Sequence, residues 1–151
     1  MRDLFIEKLY DISKKPYQKF LKKNEPWKIT HAELLLMPKQ TLGFHLGHFL
    51  SKHGFEIQSK LEDHDVFHVL TNTGITVPEE IGMQYFLFGN GKRSLYLYMV
   101  IATGTLFYPD KIGYFESQYL RGKNAFQFHN LDYFKMLSIP LKTIQTTFKI
   151  K

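Results

Sequence analysis

Cysteine is absent from the 151 residues, which excludes a disulfide scaffold, a thiol nucleophile and any thiolate metal site. Metal chemistry on this chain must therefore use imidazoles and carboxylates. No apolar run approaches the roughly 18 residues that a membrane span requires. The N-terminus MRDLFIEKLYDISKK lacks both the apolar stretch of a signal peptide and the acid-poor Arg/Ser bias of a transit peptide. The expectation is a cytoplasmic protein, with peripheral contact at the inner face of the cytoplasmic membrane as its furthest excursion. Period-2 alternation, the mark of half-buried strands, is nearly missing as well. With 44% hydrophobic and 23% charged residues the chain is not a disordered one. A single all-α, multi-helix domain over residues 1–151 is the economical reading.

The net charge of +6 is spread unevenly. Basic residues are mostly scattered singles, with one cluster at Lys14, Lys15, Lys19, Lys22 and Lys23, and no nucleic-acid motif accompanies them. A solvated helix face is the first reading of the cluster and a membrane-surface contact the second, and nucleic acid is not an expected partner. Residues 56–80 stand apart, with six acids against one lysine in an otherwise basic chain.

Capping signals punctuate the helices. A first helix is expected from about Asp3, with Leu4, Phe5, Leu9 and Ile12 on its buried face and its end before Pro16, and a short one follows to Lys23. Thr30-His31-Ala32-Glu33 reads as a capping box. A further helix opens at Thr41, stacks Leu42, Leu46, Phe49 and Leu50 on one face and closes at Gly54. Residues Lys60–Leu70 form the next, Asn72-Thr73-Gly74 turns the chain, and Thr76-Val77-Pro78-Glu79 is a second capping box. Ser94–Tyr108 is apolar nearly all round, so it is a central buried helix, a dimer face or a lipid-contacting wall. Helical segments through Tyr119-Leu120-Arg121-Gly122, around Leu131–Leu137 and from Pro140 complete the chain.

The chemistry concentrates in the acidic island. His64 and His68, four residues apart on a helix, lie on one face within reach of a single cation. Asp65 is rotated by about 100° from His64, near enough to bend inward. Glu80 opens the following helix, which the tight turn brings back alongside. Glu79 falls at the capping position, which leaves Glu80 free to face the imidazoles. Two imidazoles and two carboxylates suit Zn²⁺, Co²⁺, Mn²⁺ or Fe²⁺, and suit Mg²⁺ less well.

The segment HDVFHVLTNTGITVPEEIGMQYFLFGN carries H-D-x-x-H followed after eleven residues by Glu. It resembles the signature of the coenzyme Q (ubiquinone) biosynthesis protein 4 family. Flanking TLGFHLGHFL, YLRGKNA and IPLKTIQTTFKI extend that resemblance over most of the chain from about Pro26. The family's metal ligands fall on His64, Asp65, His68 and Glu80, which are thereby also the candidate catalytic residues. The resemblance implies an all-helical homodimer that holds a prenylated aromatic lipid beside a divalent metal, with zinc the first expectation. It further implies a role in ubiquinone assembly, in oxidative replacement of a ring carboxylate at C1 by hydroxyl, alongside other quinone-biosynthesis enzymes. The alternative is a non-catalytic prenyl-lipid-binding or scaffold protein. The chain departs from many members in placing Glu79 where a small residue is usual.

Outside the motif, His31, His45 and His48 read as helix-face imidazoles and His53 as a helix C-terminal residue complementing the dipole. Tyr119, Arg121 and Lys123 read as solvated, with an anionic headgroup as the functional alternative. Gly89-Asn90-Gly91-Lys92 lacks P-loop spacing and reads as a helix–helix turn.

Overall fold

The computed structural model describes residues 1–8, 25–58 and 62–151, and all regular structure among them is helical. Residues 2–8 form α1, followed by α2 (His31–Leu35), α3 (Leu42–His53), α4 (Glu62–Thr71), α5 (Val77–Gly89), α6 (Leu95–Phe107), α7 (Ile112–Asn124) and α8 (Leu141–Thr147). Short 3₁₀ turns at Pro109–Lys111 and Tyr133–Met136 lead into α7 and precede α8. The expected positions Leu9 and Ile12, the Lys14–Lys23 cluster and the second short helix lie outside the described residues. No helix among the described residues is long and apolar enough to cross a membrane.

Local chemistry sets the boundaries. The Thr30 hydroxyl accepts from the Glu33 amide at 3.2 Å, and the Glu33 carboxylate takes the Thr30 amide at 2.7 Å, so α2 opens on the expected capping box. Thr41 caps α3 in the same sense, and Gly54 ends it at φ +65°, a left-handed conformation that costs glycine little. The free amides at the start of α3 find carbonyls from far along the chain, Leu42 donating to Ile139 and Gly43 to Leu137 at 2.9 and 2.8 Å. The segment before α8 is thereby laced to α3.

The main core lies among α3, α4, α5 and the C-terminal segment, with Leu46, Leu50, Phe67, Leu70, Phe86 and Phe128 at its centre. A second cluster joins α1, α5, α6 and α7 through Ile6, Ile81, Val100 and Phe115. Two sequence expectations are corrected here. In α1 it is Ile6 that is buried, while Leu4 and Phe5 are exposed, because the described part of the helix meets the end of α6 and the turn after it, with Phe5 on Phe107 and Arg2 on Asp110, and only Ile6 enters the core cluster. Of the three readings of Ser94–Tyr108, the central buried helix is the one overturned. Leu97, Val100 and Gly104 are buried, whereas Leu95 (71%) and Leu106 (74%) face outward, since only one side of α6 meets α5.

The helices α5 and α7 make the most extensive helix pair. At its end the turn Gly89–Lys92 contains Asn90, a buried amide that the sequence reading passed over as a simple connector. Its Nδ2 donates to the carbonyls of Gly122 (3.2 Å) and Phe126 (3.0 Å), and its Oδ1 accepts from the amides of Phe128 (2.9 Å) and His129 (3.2 Å). The substitution Asn90→Ala strands these four backbone groups. It is expected to cost about 2–4 kcal/mol, since each unpaired buried group carries a desolvation penalty of roughly 1–3 kcal/mol. A denaturant midpoint unchanged from wild type would refute that role. Arg121 is likewise structural rather than solvated. It donates to the carbonyls of Lys151 (2.8 Å) and Thr71 (3.1 Å) and to Gln118 Oε1 (2.6 Å), so it clasps the chain end to α4.

Candidate metal centre

Helix α4 places three acids, Glu62, Asp63 and Asp65, in its first turn, where they complement the positive end of the helix dipole. Glu62 is buried and accepts the Trp27 amide at 3.0 Å, fixing the start of α4 against the preceding segment. Val66, Phe67 and Leu70 bury the opposite side of the helix in the main core. His64 and His68 are left facing α5. At the far end, the Thr71 hydroxyl bonds back to Phe67 O and pairs with the Thr73 hydroxyl, both at 2.7 Å. Asn72 takes a positive φ of 51°, and the chain reverses within a few residues into α5.

The acids that open α5 divide their roles as the sequence reading expected. The Glu79 carboxylate accepts from the Thr76 amide at 3.1 Å and from the Thr76 hydroxyl at 2.6 Å, closing the cap. Glu80 turns the other way. Its Oε2 lies 3.2 Å from His64 Nε2 and its Oε1 lies 3.0 Å from His68 Nε2. The two imidazole Nε2 atoms are themselves 3.2 Å apart. A tetrahedral ion with bonds of about 2.0–2.1 Å keeps its ligand atoms roughly 3.3 Å from one another. Each imidazole Nε2 thus lies at about that spacing from the other and from one of the two Glu80 oxygens, and one ligand atom from each of the three residues falls within 4.8 Å of the rest.

The orientation of His68 is fixed from behind. Its Nδ1 lies 3.1 Å from the Thr73 carbonyl, which can only accept, so Nδ1 carries the hydrogen and the Nε2 of the neutral ring presents a lone pair to the cluster. Phe49 stacks on the ring at 5.3 Å between centroids. Burial disfavours the charged imidazolium of His68. The Glu80 carboxylate, the Thr73 carbonyl and the Asp65 charge together outweigh that and lift the imidazole above its ordinary value. Burial likewise opposes charge on Glu80, but the charge and hydrogen bonds of His64 and then His68 hold its carboxyl well below the usual range.

All four residues anticipated from the sequence line one cavity of about 460 Å³. His64, His68 and Glu80 form the compact group, their ligand atoms within 4.8 Å of one another. Asp65 sits on the same wall but outside that group, close enough for its charge to reach His68. Phe55, Ile75, Val77 and Tyr96 form the apolar part of the lining. The lining also includes Glu7 and Glu56, which no local motif had singled out. Their nearness to the motif is a tertiary matter, since α1 and the segment after α3 meet only in the folded chain. Of the other histidines, His31 is committed to structure, its Nε2 within 2.9 Å of both the Gly47 carbonyl and the Ser51 hydroxyl.

The sign of the pH response follows from these shifts. The raised His68 stabilises the metal-free fold fully below its ordinary value of 6.5 and loses that contribution as pH rises through the folded value. The lowered Glu80 contributes above 4.5 and loses its contribution as pH falls. The cluster therefore supports the metal-free protein best between these values. Metal binding needs both imidazoles deprotonated and strengthens with rising pH. One equivalent of ZnCl₂ is expected to raise the melting temperature more at pH 8 than at pH 5.5. Equal increments at the two pH values would exclude His64 and His68 as ligands.

No family model and no curated protein matches the sequence. Among solved structures, a "Putative ubiquinone biosynthesis protein" from Nostoc punctiforme superposes on 99% of this chain and 81% of its own with a TM-score of 0.66, at 16% sequence identity. At that identity the likeness is one of fold, and it extends over nearly the whole chain.

Proposed function

We propose that the chain is a divalent-metal-dependent protein of ubiquinone or related prenylated quinone biosynthesis. Its activity in this reading is oxidative replacement of the C1 carboxylate of a prenylated hydroxybenzoate by hydroxyl. The observation that carries the reading is the convergence of His64, His68 and Glu80 on one point in a cavity wall. The neighbour of like fold, itself described as a "Putative ubiquinone biosynthesis protein", supports the pathway assignment.

The three residues would hold the metal, with zinc the first candidate and Co²⁺, Mn²⁺, Fe²⁺ or Mg²⁺ the alternatives. Bound there, the ion supplies Lewis-acid polarisation of a carboxylate or phenolate. Three protein donors leave a coordination position for substrate, which favours the catalytic over the scaffold alternative, because structural sites tend to be closed by protein ligands. The chain's own residues do the rest. Glu80 neutralises charge at the cluster, the Thr73 carbonyl keeps His68 in the tautomer that offers Nε2, and Asp65 stands at the wall to hold or accept a proton. Phe55, Ile75, Val77 and Tyr96 give an isoprenoid chain apolar surface beside the polar end, as lipid sites require. The replacement removes CO₂ and is an oxidation, so it draws on an external oxidant such as dioxygen. The same reading has the protein act as a homodimer, in peripheral contact with the membrane and with other quinone-biosynthesis enzymes.

Elemental analysis of the purified protein tests the reading. About one transition metal per chain is expected, lost in His64→Ala/His68→Ala, with turnover of a prenylated hydroxybenzoate in the loaded protein. Metal-free protein that co-purifies with prenyl lipid, seen by native mass spectrometry, would replace it by the scaffold alternative.

A further inference from the structure

His68 separates two recesses of opposite character. The cavity on the Glu80 side is lined by four carboxylates, Glu7, Glu56, Asp65 and Glu80, and among its described lining residues there is no lysine or arginine. A groove of about 630 Å³ on the other side of His68 reverses this, with Lys52, Lys142 and Lys151, the imidazoles of His45 and His53, and no acidic side chain among its described lining residues. The cations come from three places in the fold: the end of α3, the first turn of α8 and the chain end. Among the described residues none of the three lysines is ion-paired.

We infer that this groove is a binding site for a phosphate-bearing anion. Like charges gathered around a recess with no acidic side chain among its described lining residues repel one another, and a concave low-dielectric wall focuses their potential on whatever enters. Three lysines from separate elements suit a multiply charged group, for which the compact ammonium is an established partner. The volume is that of a small-molecule site, and Phe49, Val69 and Leu70 add apolar residues to its lining. The turn Asn72–Gly74 forms one side of the groove and also carries the Thr73 carbonyl that orients His68, so the groove's occupant touches the same turn that positions the candidate metal centre.

The test is calorimetric titration of inorganic pyrophosphate at about 0.15 M salt, where diffuse attraction between exposed charges is largely screened. Lys52→Ala/Lys142→Ala is expected to weaken binding about tenfold or more. Lys28→Ala/Lys111→Ala, which removes the same charge from other surfaces, and Glu80→Gln are expected to leave it unchanged. The Glu80 variant separates this site from the metal reading, because binding through a metal would vanish with it. Co-sedimentation with phosphatidylcholine vesicles, with and without phosphatidylglycerol, distinguishes the source. Sedimentation that depends on Lys52 and Lys142 and is displaced by pyrophosphate identifies a lipid headgroup, and pyrophosphate binding alone identifies a soluble phosphate compound. Absence of binding to either probe, equal loss in both lysine pairs, or loss in the Glu80 variant overturns the inference.

Discussion

Glu80→Gln is expected to lower metal affinity by about two orders of magnitude or more while the helical fold survives. The amide keeps the size and one oxygen of the carboxylate but not its charge. Both contacts at 3.0–3.2 Å to His68 and His64 then change from charge-assisted to neutral, and the metal loses its anionic ligand. Even the loss of an outer-shell partner typically costs a metal site 10–100-fold, and a direct ligand costs more. The fold should persist because α5 does not begin on Glu80. Its N-terminus is closed by Glu79 and Thr76, and its burial is carried by Ile81, Met83, Phe86 and Leu87. Dialysed protein assayed for metal, beside a far-ultraviolet thermal melt, decides the matter. Metal loss with a melting temperature within a few degrees of chelated wild type is the expected pair of results. Global unfolding of the variant would instead make the ion a structural element, and full retention of metal would remove Glu80 from the site.

That experiment tests a feature legible in the sequence because its determinants are local. Three residues separate His64 from His68, eleven separate His68 from Glu80, and the turn between is written in Asn72, Thr73, Gly74 and the Thr76–Glu79 cap. Helical periodicity and capping rules convert such spacings directly into direction. The same rules placed Gly54 at the end of α3 and Ser94 at the start of α6. What was not legible depends on partners distant in the chain. An apolar circumference on α6 could not reveal that Leu97, Val100 and Gly104 are the residues it buries. Leu4 and Phe5 carry a strong hydrophobic signal, yet Ile6 is the residue that reaches the second core cluster. Asn90 and Arg121 read as a turn amide and a surface cation, because the carbonyls and amides that engage them belong to segments 30 to 50 residues away. Nor could spacing alone separate Asp65 from the three converging donors, since rotation about a helix sets a side chain's direction but not its reach.

Gly122→Ala is expected to produce the largest loss of stability from a single methyl group in this chain. A Cβ built on Gly122 would lie 1.9 Å from the Phe86 carbonyl oxygen and 3.1 Å from the Asn90 nitrogen, and both are backbone atoms that no rotamer change can move. Across the same crossing, a Cβ on Gly89 would lie 2.1 Å from the Tyr119 carbonyl oxygen. The two glycines let α5 and α7 approach until backbone meets backbone, which is why this pair makes the most extensive helix contact among the described residues. Adding a methyl group forces the helices apart by more than an ångström, loosening Phe86 and Phe115 and the Asn90 bond to the Gly122 carbonyl together. Overpacking usually costs 1–3 kcal/mol where side chains can adjust. With rigid backbone on both sides, about 4 kcal/mol or more is expected, a fall in melting temperature of roughly 8–16 °C for a domain of this size. Gly113→Ala is the internal control. It lies in the same helix with nothing within 4 Å of its would-be Cβ, so the intrinsic preference of alanine for helix should leave stability unchanged or raised by up to about 1 kcal/mol. Thermal melts of the two variants, both chelated so that metal does not contribute, separate a packing constraint from a general dislike of substitution in α7. Similar melting temperatures for both would show that α5 and α7 can yield at Gly122.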